Sequence, residues 1–106
     1  MHRSTWKAFE RWIAGCFGTH RNPLSGSMSR HTGSDSLHPS LFIECKMRKG
    51  FIGASRRFEE ISKEAEKEGK LPLLVFRLQG KDNLDSLVVC RIKNLKAVAS
   101  WCEIVS

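Results

Sequence analysis

Glu44 and Lys46 stand two residues apart inside an otherwise apolar run from Leu41 to Met47. Side chains in a strand alternate between faces, so Phe42, Glu44 and Lys46 point one way and Leu41, Ile43, Cys45 and Met47 the other. A carboxylate and an ammonium are thereby neighbours on one face. Asp35 lies upstream across a turn marked by Leu37, His38 and Pro39, so an acid at the end of a preceding strand can meet them at one point. Two carboxylates, Asp35 and Glu44, with the main-chain carbonyl of Cys45 make a sufficient protein contribution to Mg²⁺, which takes oxygen ligands and keeps several waters. Such a cation supplies a nucleophilic water at neutral pH and neutralises charge on a phosphodiester, and the Lys46 ammonium can orient the attacking water. The plainer reading of the same residues is an ion pair solvating a half-exposed sheet, with Asp35 forming a turn after Gly33.

Positioning those groups requires elements on either side of the strand. Ser4 is placed to cap a helix from about Thr5 to Phe17, with Trp6, Phe9, Ile13 and Phe17 recurring on one face. Glu10 falls at the border of that apolar stripe, and Gly18 ends the helix. Residues 19–36 turn to Ser, Gly, Arg, His and Pro, a composition that predicts a loop with at most a short strand near Asp35. Loops of this length in a compact domain are usually functional or mobile. The run 41–47 reads as a central strand. Gly50 to Ala54 is a turn, and Ser55 caps a helix to about Glu68 with Phe58, Ile61 and Ala65 inside. Gly69 closes it, and Pro72 introduces Leu73 to Leu78, suited to the middle of a sheet. A hairpin loop from Gln79 to Asp85 returns as a strand from Ser86 to Arg91. Ile92, Leu95, Ala99 and Cys102 then continue at helical spacing. No internal repeat is present.

The chain has 106 residues, one domain with a single core. Eighteen Lys and Arg against eleven Asp and Glu leave a net charge of +7, which favours a polyanionic partner, nucleic acid first, and disfavours a basic substrate. Arg21, Ser25 and Arg30, with Ser27 and His31, form a loop able to grip phosphate, since Arg forks match phosphate oxygens and hydroxyls add donors. Arg48 and Lys49, with Arg56 and Arg57, prolong the positive surface past the strand. The four cysteines, Cys16, Cys45, Cys90 and Cys102, lie widely spaced in apolar segments and read as buried thiols of a reducing compartment. No run approaches the length needed to cross a bilayer, and the opening residues lead into a helical pattern instead of a signal-peptide core, so the expectation is an intracellular, cytoplasmic protein. His20, His31 and His38 with Cys16 or Cys45 match no compact zinc spacing.

The order of these features resembles the PD-(D/E)XK nuclease superfamily, and within it the small archaeal Holliday junction resolvases and related phage-type endonucleases. The resemblance spans roughly Trp6 to Arg77. It runs through a helix carrying a glutamate, here Glu10 between Phe9 and Arg11; an arginine and a Ser-Gly loop, here Arg21 and Ser25 with Gly26; the acid Asp35; and the Glu-x-Lys strand of Glu44, Cys45 and Lys46. Ser34 stands where the superfamily name records proline. The resemblance implies that Asp35 and Glu44 bind the metal, that Lys46 assists the water, and that Glu10 completes or supports the metal shell. It further implies an α/β fold of the restriction-endonuclease-like kind, a mixed β-sheet flanked by helices, with dependence on Mg²⁺ or Mn²⁺ and commonly a homodimer presenting two centres to two DNA strands. Phage origin, with action in the host cytoplasm, follows from the resemblance alone.

Two other functions compete. A sequence-specific endonuclease of the homing or restriction type needs added elements to read base edges in a groove, and none is obvious. A catalytically silent nucleic-acid-binding module has no reason to place acids where phosphates must sit.

Overall fold

The computed structural model describes residues 3–23, 32–48, 50 and 52–104. Helix α1 spans Arg3–Cys16, strand β1 Leu41–Arg48, helix α2 Ala54–Glu68, strand β2 Leu71–Leu78, strand β3 Leu87–Val89 and helix α3 Leu95–Ser100. The architecture is α/β: a three-stranded mixed sheet in the order β1-β2-β3, flanked by helices. β1 and β2 run parallel with α2 as the crossover between them, and β3 returns antiparallel with Val75 opposite Val88.

Alternation along the strands splits the core into two layers. Leu41, Ile43, Cys45, Leu73 and Val75 face α1, where Phe9, Ile13, Cys16 and Phe17 meet them, together with Val98 of α3. Phe42, Leu74 and Phe76 face α2 and its inner stripe of Ala54, Phe58, Ile61 and Ala65. Glu44 and Lys46 therefore belong to the α2 side of β1, whereas Glu10 approaches from α1 on the other side.

Both long helices end as their glycines predict. Gly18 and Gly69 adopt φ of +67° and +67°, and the following Thr19 and Lys70 N–H groups donate back to the carbonyls of Ala14 and Ala65 at 2.9 and 2.9 Å. The starts differ from expectation. α1 already includes residues 3 and 4, so position 4 lies inside the helix and does not cap it. α2 is entered from Gly53 at φ +83°, which puts Ser55 in the first turn with no capping bond from a side chain.

The expected central strand is also reassigned. β2 takes the centre, and β1 flanks it. Pro72 is tolerated in the central strand because the Leu71 N–H donates to Ser40 on the β1 side, so the Pro72 nitrogen points toward β3, whose pairing begins only at Leu74. The strand expected near Asp35 is reduced to one isolated bridge between Arg21 and Ser36. The last strand shortens to Leu87–Val89, and the apolar spacing after it does not mark a buried face: Ile92 is 88 % exposed and Leu95 52 %, while Val98 is the buried residue of α3. Among the described residues no helix is long and apolar enough to cross a membrane.

Candidate active site

The outer edge of β1 is closed by side chains where a fourth strand would lie. The Ser34 hydroxyl accepts from the Ile43 N–H at 2.9 Å and donates to the Ile43 carbonyl at 3.1 Å. The Asp35 N–H donates to that same carbonyl at 2.8 Å, and Asp35 Oδ2 accepts from the Cys45 N–H at 2.8 Å. Ser34 thus performs with its hydroxyl the edge pairing that a proline ring could not, and it delivers Asp35 beside the Glu44–Lys46 stretch. Since the N–H and C=O of one strand residue point to the same side, the Cys45 carbonyl faces this edge together with Asp35.

Behind Asp35, the approach segment is clamped to the end of α2. Glu68 accepts from the Thr32 hydroxyl and, at 2.9 Å, from the Gly33 N–H, and Lys70 pairs with Glu68 at 3.3 Å. Burial pushes the Glu68 carboxyl up, but these donors and Lys70 outweigh it and hold the group below its ordinary value. Asn22 adds a bond from its side-chain amide to the Ser34 carbonyl at 2.9 Å.

Glu44 is 6 % exposed and is ringed by cations on one oxygen. Lys46 Nζ lies 3.3 Å from Oε2, Arg57 Nε donates to the same atom at 2.7 Å, and Arg57 Nη2 reaches it as well. Glu10 is 1 % exposed and accepts from Arg21 Nε at 2.7 Å through Oε1. Arg21 is in turn held 5.7 Å over the Trp6 ring, one helical turn before Glu10. The second oxygen, Glu10 Oε2, is buried with no hydrogen-bond partner.

These groups sense one another electrostatically. Burial, and then the charges of Glu44 and Glu10, push Asp35 up to about 7 against the opposing Cys45 N–H and Lys46. Burial also raises Glu10 in spite of Arg21, with Glu44 adding repulsion. Two buried carboxylates with raised proton affinity, Asp35 and Glu10, mark a functional-site candidate more than a stabilising one.

Of the four residues expected at the chemistry, Asp35 is bonded at the β1 edge and Lys46 pairs with Glu44 on the α2 face, whereas Glu10, on the α1 side, is linked to Asp35 and Glu44 through their charges and not by a contact. Among the described residues no three His, Cys, Asp or Glu side chains converge closely enough to hold a metal ion between them. The expected ligands Asp35, Glu44 and Glu10 thus do not come together as one such group. Mg²⁺ asks less of a protein, one or two carboxylates with water completing its shell. The orphaned Glu10 Oε2, which feels the charge of Glu44, fits a group that brings positive charge or water donors.

The proposed phosphate-gripping residues divide. Arg21 is committed to Glu10 and Trp6, and Arg48 is exposed at the end of β1. Ser25, Arg30 and Lys49, with Ser27 and His31, lie outside the described residues. Arg57, expected on the outer positive surface, turns inward to Glu44. The signal was present: Arg57 is three residues after Ala54 and four before Ile61, both on the buried stripe of α2.

His38 belongs to the scaffold. Its Nδ1 accepts from the Ser40 and Leu41 N–H groups at 2.9 and 3.0 Å, capping the start of β1, and its ring meets Trp101 edge-on at 5.1 Å. Trp6 and Trp101 are exposed, whereas Trp12 is half-buried against the core. Of the four free cysteines, Cys16 and Cys45 are buried as expected, whereas Cys90 is half-buried and Cys102 exposed.

A comparison of the chain with protein-family models, with curated proteins and with solved structures finds no match in any of the three.

Proposed function

We propose that the chain is a metal-dependent endonuclease of the PD-(D/E)XK kind that hydrolyses phosphodiester bonds in DNA. One observation carries the reading: Asp35 is bonded to the Cys45 N–H at 2.8 Å while Glu44 and Lys46, on either side of Cys45, are paired at 3.3 Å, so an acid at the strand's edge adjoins an acid–ammonium pair on its face. Asp35, Glu44 and the Cys45 carbonyl would hold Mg²⁺ or Mn²⁺, with Glu10 supporting from α1. The cation, when bound, supplies a water of lowered pKa and neutralises charge on the phosphate.

The rest of the chemistry belongs to the chain. Asp35 is fixed by backbone bonds at both its N–H and its carboxylate, so it needs little reorganisation to serve as a ligand. Burial, Glu44 and Glu10 raise its proton affinity, so a bound cation would favour its ionised form. Lys46, partly exposed, holds Glu44 and offers its ammonium to the water or the phosphate at the mouth of the site. The +7 charge draws the polyanion in.

Within that class, the resemblance favours a restriction-endonuclease-like domain acting as a homodimer on branched DNA, in the manner of a junction resolvase. The test is cleavage of four-way-junction and linear duplex DNA with Mg²⁺, with EDTA as control, for the parent, Asp35→Ala and Lys46→Ala. Metal-dependent cutting of the junction that both substitutions abolish is expected. Equal cutting of duplex and junction would overturn the resolvase assignment alone. Binding without cleavage in the parent would overturn the enzyme in favour of a silent binding module.

A further inference from the structure

Arg57 occupies the position on Glu44 that a divalent cation would contest. Its Nε and Nη2 both reach Glu44 Oε2, and its Nη1 reaches Glu60 Oε2 at 3.1 Å on the next turn of α2. The two acceptors differ in kind. Glu44 is buried at the site, whereas the Glu60 side chain is about half exposed and stands outside it. One guanidinium therefore bridges an interior carboxylate and a solvent-facing one. Arg57 itself is part-buried, and it already holds Glu60 through a nitrogen that Glu44 does not use.

We propose that Arg57 is a cation-displaced latch: it neutralises Glu44 while the metal is absent and retreats onto Glu60 when the metal arrives. This rests on the reading of Glu44 as a metal ligand and deepens it by assigning Arg57 and Glu60 as positioning residues. Without Arg57, Glu44 would be a desolvated carboxylate facing Asp35 and Glu10 with only Lys46 for compensation. With it, metal binding carries the cost of breaking charge-assisted hydrogen bonds. Glu60 lowers that cost by keeping one bond in place during the exchange.

The two residues make opposite predictions, which a merely structural ion pair does not. Mn²⁺ binding to the full chain, measured by electron paramagnetic resonance of the free ion without DNA, should tighten roughly tenfold in Arg57→Gln, the equivalent of one strong charged contact. Glu60→Gln should weaken Mn²⁺ binding roughly threefold, because Arg57 then has Glu44 as its remaining partner. In the double variant the Glu60 effect should vanish, since Glu60 acts through Arg57. Unchanged or weaker Mn²⁺ binding in a folded Arg57→Gln, or an undiminished Glu60 effect in the double variant, overturns the latch while leaving the metal site standing. If Arg57→Gln does not fold, tighter or equal binding in Glu60→Gln overturns the latch by itself. Absence of Mn²⁺ binding in the parent chain brings down the metal site and the latch together.

Discussion

Asparagine in place of Asp35 should stabilise the protein, and increasingly so as pH rises. The carboxyl of Asp35 is 9 % exposed and is pushed by burial, and then by Glu44 and Glu10, from 3.8 up to about 7. The folded chain therefore retains a proton that the unfolded chain releases from about pH 4 upward, and stability falls as pH rises from there through about 7. Between about pH 5 and about pH 8 the loss amounts to roughly 2 to 3 kcal/mol, since each tenfold difference in proton affinity between the folded and unfolded chain is worth about 1.36 kcal/mol. Asp35→Asn has no such loss, and its side-chain oxygen can still accept from the Cys45 N–H. Urea unfolding of parent and variant at both pH values isolates the effect, since the raised Glu10 is common to the two proteins. The expected result is a stability advantage for Asp35→Asn that grows by roughly 2 to 3 kcal/mol toward alkaline pH, and that shrinks when saturating Mg²⁺ is added to the parent. An advantage independent of pH, or a variant less stable than the parent at about pH 8, would refute the argument that the site is electrostatically strained.

Two further outcomes concern the scaffold. His38→Ala strips the acceptor from the Ser40 and Leu41 N–H groups and should cost about 1 to 3 kcal/mol in urea unfolding at neutral pH; because burial, and then Lys70, lower the His38 pKa, the neutral ring's contribution is present above about pH 6.5 and the gap from the parent closes as pH falls below it. Aromatic disulfide reagents should modify exposed Cys102 rapidly in the native protein, while Cys45, buried and raised well above the usual thiol range, and Cys16, pushed by burial up to about 11, stay unreactive until unfolding; rapid modification of all four under native conditions would contradict the packing of β1 against α1.

The order of helices and strands was legible in residue spacing because periodicity reports which face each segment buries. Phe9 and Ile13 on α1 with Phe17 just past its end, Phe58, Ile61 and Ala65 on α2, and the alternation around Glu44 all followed from it. So did the helix ends at Gly18 and Gly69, where positive φ strongly favours glycine. The sharing of one strand face by Glu44 and Lys46 needed only the two-residue repeat of a strand. What spacing could not determine was set by contacts far apart in the chain. Whether Asp35 meets Glu44 depends on Ser34 and Asp35 bonding across to Ile43 and Cys45, and on Glu68 gripping Thr32 and Gly33 from the far end of α2. Whether a cation is solvated or committed is likewise tertiary: Arg21 and Arg57 read as surface charges until Glu10 and Glu44 are brought within bonding distance. Local sequence dictates which way a side chain leaves its own element, but only the packing of elements decides what it finds there, and a buried carboxylate will draw in whichever guanidinium the fold places beside it.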